Sequence, residues 1–107
     1  MVPSAALIVM DHGSRRPSAH QELEVLVSKL RLDRPNWLIE GAHLELADPR
    51  FPVVIENVLK QVSPSCQIYV LPWFLASGRH LNEDVPELIE AARAKHPDYR
   101  INLTPHL

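Results

Sequence analysis

Apolar residues along the chain fall into two alternating patterns, and the alternation predicts the fold. Ala5–Met10 (AALIVM) is a continuous apolar run that stops at the polar stretch Asp11–Pro17. A short run of this kind suits a parallel strand covered on both faces. Beyond it, Leu23, Leu26, Val27 and Leu30 recur at the spacing of one buried helical face. Ser18 is a candidate N-cap, with Gln21 three residues on to complete a capping box. Arg34-Pro35-Asn36 ends that helix, Leu38–Leu46 reads as a second strand, and Asp48-Pro49 marks the turn after it. Val54, Ile55, Val58, Leu59 and Val62 form a second amphipathic stripe, ending near Ser63-Pro64. Gln67–Leu71 (QIYVL) is a third strand, rich in β-forming residues. Pro72–Glu83 reads as a long loop before a helix carrying Val85, Leu88, Ile89 and Ala92, and Arg100–Leu103 as a fourth strand.

The order is therefore βαβαβαβ. It implies an α/β fold: a parallel sheet of about four strands, helices on both faces, and right-handed crossovers. One domain over residues 1–107 is expected. The pattern leaves the last strand without a following helix, so either a terminal helix lies beyond residue 107 or a neighbouring chain covers that end.

Composition narrows the function classes. With 107 residues and 46% hydrophobic content the chain suits a small globular domain. A net charge of −2 gives no reason to expect nucleic acid as a partner. The single cysteine, Cys66, excludes an intrachain disulfide and a Cys-rich zinc site, and is expected to be a small apolar filler. Met1–Met10 lacks the basic start of a signal peptide, and no apolar run approaches the roughly 20 residues that span a bilayer. A soluble cytoplasmic protein, away from membranes, is the expectation. Six histidines are the unusual feature.

In open α/β sheets, ligands bind beyond the carboxyl ends of the strands. The predicted topology puts Asp11, His12, Ser14 and Arg15 there after the first strand. His43 and Glu45 lie at the end of the second, and Arg79, His80 and Asp84 after the third. Two imidazoles and a carboxylate suit first-row divalent ions, and without a thiolate such a set holds an ion loosely enough to surrender it. His43 precedes Glu45 by two residues, so an extended strand would point both to one face. Packing or a supporting hydrogen bond is the role expected of His43. His20 is expected to be exposed, His96 to lie against a helix dipole, and His106 carries no signal. Trp73 and Phe74 either line a cleft or pack.

Three segments are more specific. His12-Gly13-Ser14-Arg15, Leu44-Glu45 followed by Pro49, and Pro72-x-Phe74-Leu75-x-x-Gly78-Arg79-His80-x-x-x-Asp84-Val85-Pro86 resemble the sirohydrochlorin chelatases of the CbiX type, class II chelatases of cobalamin and siroheme synthesis. The resemblance runs from the first strand to about Pro105. It implies a flavodoxin-like half-chelatase of the short type, which pairs as a homodimer around a shared cleft. It also implies that a divalent metal is inserted into sirohydrochlorin, with Co²⁺ the first expectation and Fe²⁺ or Ni²⁺ next, and with no organic cofactor. By motif position His12 and His80 match the family's metal-binding histidines, and Glu45 the acidic residue near them. His43 departs from the apolar or aromatic residue usual at its position.

Insertion must strip water from the metal and remove two pyrrole N–H protons. A neutral imidazole, titrating near about 6.5 when unperturbed, is the natural acceptor. His12, His80 and Glu45 are therefore the expected metal and catalytic residues. Arg15, Arg79 and Ser14 are expected at the carboxylates of the macrocycle rim, with Arg16 a weaker candidate. A non-catalytic metal carrier would use the same histidines. Phosphoryl chemistry is disfavoured because Asp11 stands where a histidine phosphatase needs an arginine, and would repel phosphate.

Overall fold

The computed structural model describes residues 3–73 and 79–104, with the side chains of residues 19 and 79–83 left out. The elements are β1 (Ala5–Asp11), α1 (Pro17–Asp33), β2 (Trp37–His43), α2 (Phe51–Leu59), β3 (Gln67–Pro72), α3 (Arg79–Lys95) and β4 (Arg100–Leu103). The four strands form one sheet in the order β2-β1-β3-β4, every pair parallel. This is the doubly wound order of a flavodoxin-like sheet, in which the chain reverses its direction of travel between β1 and β3.

Side-chain parity sorts the core into two layers. Ala6, Ile8 and Met10 of β1, with Ile68 and Val70 of β3 and Ile101 of β4, face α2 and α3. Leu7 and Val9 of β1 and Ile39 of β2 face α1 through Leu23 and Val27. A Cβ on Gly41 would lie 3.2 Å from the Leu23 side chain, so glycine on β2 lets α1 settle close to the sheet.

Four element boundaries differ from those the pattern predicts. Helix α1 opens at Pro17, with Arg16 at the N-cap and no side-chain cap, so the Ser18–Gln21 capping box is not formed. Proline at the first helical position starts the helix instead, its fixed φ and missing N–H suiting that place. Strand β2 stops at His43, because the chain bends over residues 44–49 and pairs His43 with Arg50. Helix α2 opens at Phe51, earlier than the first residue of its apolar stripe. Helix α3 begins at Arg79, within the stretch read as loop. In its first turn Leu81 alone among polar residues continues the apolar stripe, and Pro86 inside the helix further obscures the start. Phe74 and Gly78 lie outside the described residues.

Candidate metal-transfer site

The carboxyl edge of β1 and β2 is built by a loop-to-loop zipper. Asp11 and His43 are the last partners in the β1–β2 register. Beyond them the Leu44 N–H donates to the Asp11 carbonyl at 2.9 Å, and the Glu45 N–H to the His12 carbonyl at 3.1 Å. Gly13, at φ 100°, is pressed so close to this second loop that an added Cβ would sit 1.7 Å from the Glu45 carbonyl oxygen. Leu46 then turns the chain away in a left-handed conformation, φ 70°. Such a conformation is sparsely populated for a branched residue, and the surrounding contacts must hold it there.

The zipper brings His12 and Glu45 together. Nε2 of His12 lies 3.2 Å from Oε1 of Glu45, and both side chains are about half exposed, at 45% each. Both side chains are therefore open in part to solvent at this edge. Strand β3 ends alongside: the Trp73 N–H donates to the Met10 carbonyl at 2.8 Å. After residues 74–78, α3 starts with Arg79 and His80, whose side chains lie outside the described residues, as does any contact of theirs with His12. Among the described residues no three His, Cys, Asp or Glu side chains gather as a metal group. Arg15 is exposed. Ser14 Oγ accepts a hydrogen bond from the Arg16 N–H at 3.1 Å, which shapes the loop before α1.

The other histidines meet some of the expectations made of them and correct others. His43 does not share a strand face with Glu45, because the extended backbone ends at His43. It is buried, 4% exposed, and its Nδ1 lies 2.6 Å from Oδ1 of Asp11, which is the supporting hydrogen bond expected of it. His20 is half-buried rather than exposed: its Nε2 lies 2.5 Å from the Ser14 carbonyl, and its ring centroid 5.2 Å from that of His43. His96 sits just past α3 and bonds Glu56 of α2 through Nε2 at 2.5 Å, a side-chain link and not a dipole contact alone. That hydrogen bond holds the Glu56 carboxyl below its ordinary range against the opposing effect of desolvation, with the charges of His96 and Lys95 adding to it. Cys66 is buried as expected, and burial pushes its thiol up.

The CbiX family matches residues 6–107, nearly the whole chain. This chain belongs to the CbiX family. It is 34% identical to the chloroplastic sirohydrochlorin ferrochelatase of Arabidopsis thaliana over 82 residues, covering 77% of this chain and 36% of that protein. It is 30% identical to the sirohydrochlorin cobaltochelatase of Methanocaldococcus jannaschii over 91 residues, covering 85% of this chain and 62% of that protein. The chain thus spans about a third to three-fifths of these relatives. Among solved structures, the putative cobalamin biosynthesis CbiX protein of Marinobacter aquaeolei superimposes with a TM-score of 0.79 at 31% identity, covering 95% of this chain and 81% of that one. The sirohydrochlorin chelatase SirB of Bacillus subtilis in complex with cobalt gives a TM-score of 0.83 at 28% identity, covering 96% of this chain and 43% of that one. This CbiX chain therefore corresponds to less than half of the SirB chain.

Proposed function

We propose that this CbiX chain inserts a divalent metal ion, Co²⁺ or Fe²⁺ with Ni²⁺ as a further candidate, into sirohydrochlorin, in cobalamin or siroheme synthesis in the cytoplasm. The observation that carries the reading is the His12–Glu45 pair, accessible at the carboxyl edge of the sheet beside the β1–β3 switch point. Ligand sites of open α/β sheets collect at that point. The relatives' names supply the substrate and favour insertion over simple metal carriage.

In this reading His12 and His80 ligate the incoming ion, and Glu45 completes its shell and offsets its charge. The ion is a substrate, so open positions must remain for the pyrrole nitrogens to displace water. The products are the metallated macrocycle and two protons. An imidazole that has released the metal accepts a pyrrole proton, and Glu45 beside His12 passes it outward. Arg15 and Arg79 grip rim carboxylates by forked hydrogen bonds, with Ser14 alongside. No organic cofactor is needed.

One such domain offers half a cleft, and a homodimer closes the other half. The α1 face supports this, because Trp37, Tyr69, Leu71 and Trp73 are only partly buried on it. Among the described residues α1 packs on β1 and β2, leaving that face of β3 and β4 without a helix.

A spectroscopic insertion assay with sirohydrochlorin and each of Co²⁺, Fe²⁺ and Ni²⁺ tests the activity. Turnover with at least one metal is expected, and His12→Ala and His80→Ala should each remove most of it. Normal turnover in the double variant would sink the mechanism.

A further inference from the structure

Two histidines outside the proposed metal set lie at the two ends of the turn that carries His12. At one end is Asp11, the last residue of β1, whose carboxylate meets Nδ1 of His43 at 2.6 Å. At the other is Ser14, whose carbonyl meets Nε2 of His20 at 2.5 Å. The acceptors fix the ring protons. A carbonyl oxygen can only accept, so His20 carries its proton on Nε2. In the second contact the carboxylate oxygen of Asp11 accepts and His43 donates from Nδ1. The rings then pack on each other, centroids 5.2 Å apart and tilted by 47°.

The chain of contacts is therefore closed: Asp11 to His43 on β2, His43 to His20 on α1, and His20 back to Ser14. His12 and Gly13 are the two residues it encloses. A buried imidazole in a sheet needs a reason, since an apolar side chain would fill the same space without losing hydration. Here the His43 ring is the buried polar side chain of the described core. Its hydrogen bond does not join elements that would otherwise be apart, because β1 and β2 are already paired up to Asp11 and His43. What it adds is a fixed point for the turn that starts at Asp11.

We propose that His43 and His20 are positioning residues, a two-histidine clamp that holds the Asp11–Ser14 turn from both ends and keeps the His12 imidazole against Glu45 for metal transfer. The proposal rests on the chelatase reading for its consequence in turnover, and on the loop contacts alone for its structural part. Groups that hydrogen-bond a metal ligand directly commonly change activity by about 10- to 100-fold when removed, and an effect relayed through the ligand's chain neighbours should fall at the lower end, about tenfold. Both His20→Ala and His43→Leu should lower kcat by about that factor, while the KM for sirohydrochlorin stays within about twofold. The amide protons of Leu44 and Glu45, bonded to the Asp11 and His12 carbonyls, should exchange at least about tenfold faster in each variant.

Two conservative variants separate positioning from bulk packing. Asn places its side-chain N–H near the location of Nδ1, and Gln near that of Nε2. His43→Asn and His20→Gln should restore kcat and amide protection to near the starting values. His20 lies on a half-buried helix surface, so the His20 pair answers the question even if a His43 variant folds poorly. Unchanged kcat and exchange in His20→Ala would overturn the clamp, as would failure of both conservative variants to rescue. An inactive parent enzyme would instead refute the chelatase reading, and the exchange rates would still decide the clamp.

Discussion

Gly13 shows at the residue scale how tightly the site is built. Its positive φ and the 1.7 Å approach to the Glu45 carbonyl leave no place for a methyl group. Gly13→Ala should therefore destabilise by more than about 3 kcal/mol, through strain and overlap together. The midpoint of urea unfolding measures this, and an unchanged midpoint would show that the two loops do not touch in solution. The Glu56–His96 link makes a prediction in pH. The folded carboxyl titrates below its ordinary value of 4.5, so its contribution is complete above that value and is lost as pH falls through the lower folded one. Glu56→Gln should lower the melting temperature at pH 7 and narrow the gap to the parent as pH drops below about 4.5. A gap that stays constant down to pH 3 would contradict the link.

Elements are tied to one another by a repeated device. The Arg31 side chain of α1 donates through Nε to the Ile39 carbonyl of β2, and that of Arg93 of α3 through Nε to the Ile101 carbonyl of β4, both at 2.9 Å. Strands β2 and β4 are the two edges of the described sheet, so each arginine occupies an outward carbonyl and carries a charge to the place where edge pairing would start. Helix α2 contributes differently, through bulk: Phe51 is 1% exposed at its first turn and sits directly after the loop that carries Glu45. Phe51→Ala should cost about 3–5 kcal/mol and loosen that loop. Denaturant unfolding gives the first quantity. Retention of Co²⁺ affinity at full parent strength would show that the loop is held without it.

At the scale of the whole molecule, α1 shields one side of the sheet only in part. The half-buried strip of Trp37, Tyr69, Leu71 and Trp73 runs from the start of β2 to the end of β3, where Trp73 lies at the same edge as the proposed transfer site. A twofold dimer using this side would apply the same patch on both protomers, and a stable one should bury more than about 1,000 Å² in total. Sedimentation over a concentration range, with activity measured in parallel, should show turnover rising with the dimer fraction. Full specific activity from a monomer would refute a shared cleft while leaving metal insertion standing. None of the helices among the described residues is long and apolar enough to cross a membrane, so the strip is not explained by such a span.

Periodicity alone determined the element order, the parallel α/β sheet and its two-sided core, because burying strands on both faces requires continuous apolar runs and burying helices requires a 3.6-residue stripe. The sequence also marked the chemistry. His12 and Glu45 meet as their positions after two strand ends predict, because strand ends share one edge of a parallel sheet; His80 is proposed on its motif alone. The sequence did not determine where β2 stops, since Leu44 and Leu46 continue the apolar pattern while their backbone is turned by contacts with a loop more than thirty positions earlier in the chain. For the same reason His43 and Glu45, two residues apart, have different partners: one is buried on Asp11 and the other reaches His12. His20 was misread as exposed because its partners, Ser14 and His43, depend on how α1 lies over the sheet. Local patterns record which residues must be buried. Which polar groups meet once they are buried was decided by the tertiary fold, because a hydrogen bond between distant residues leaves no period in the sequence.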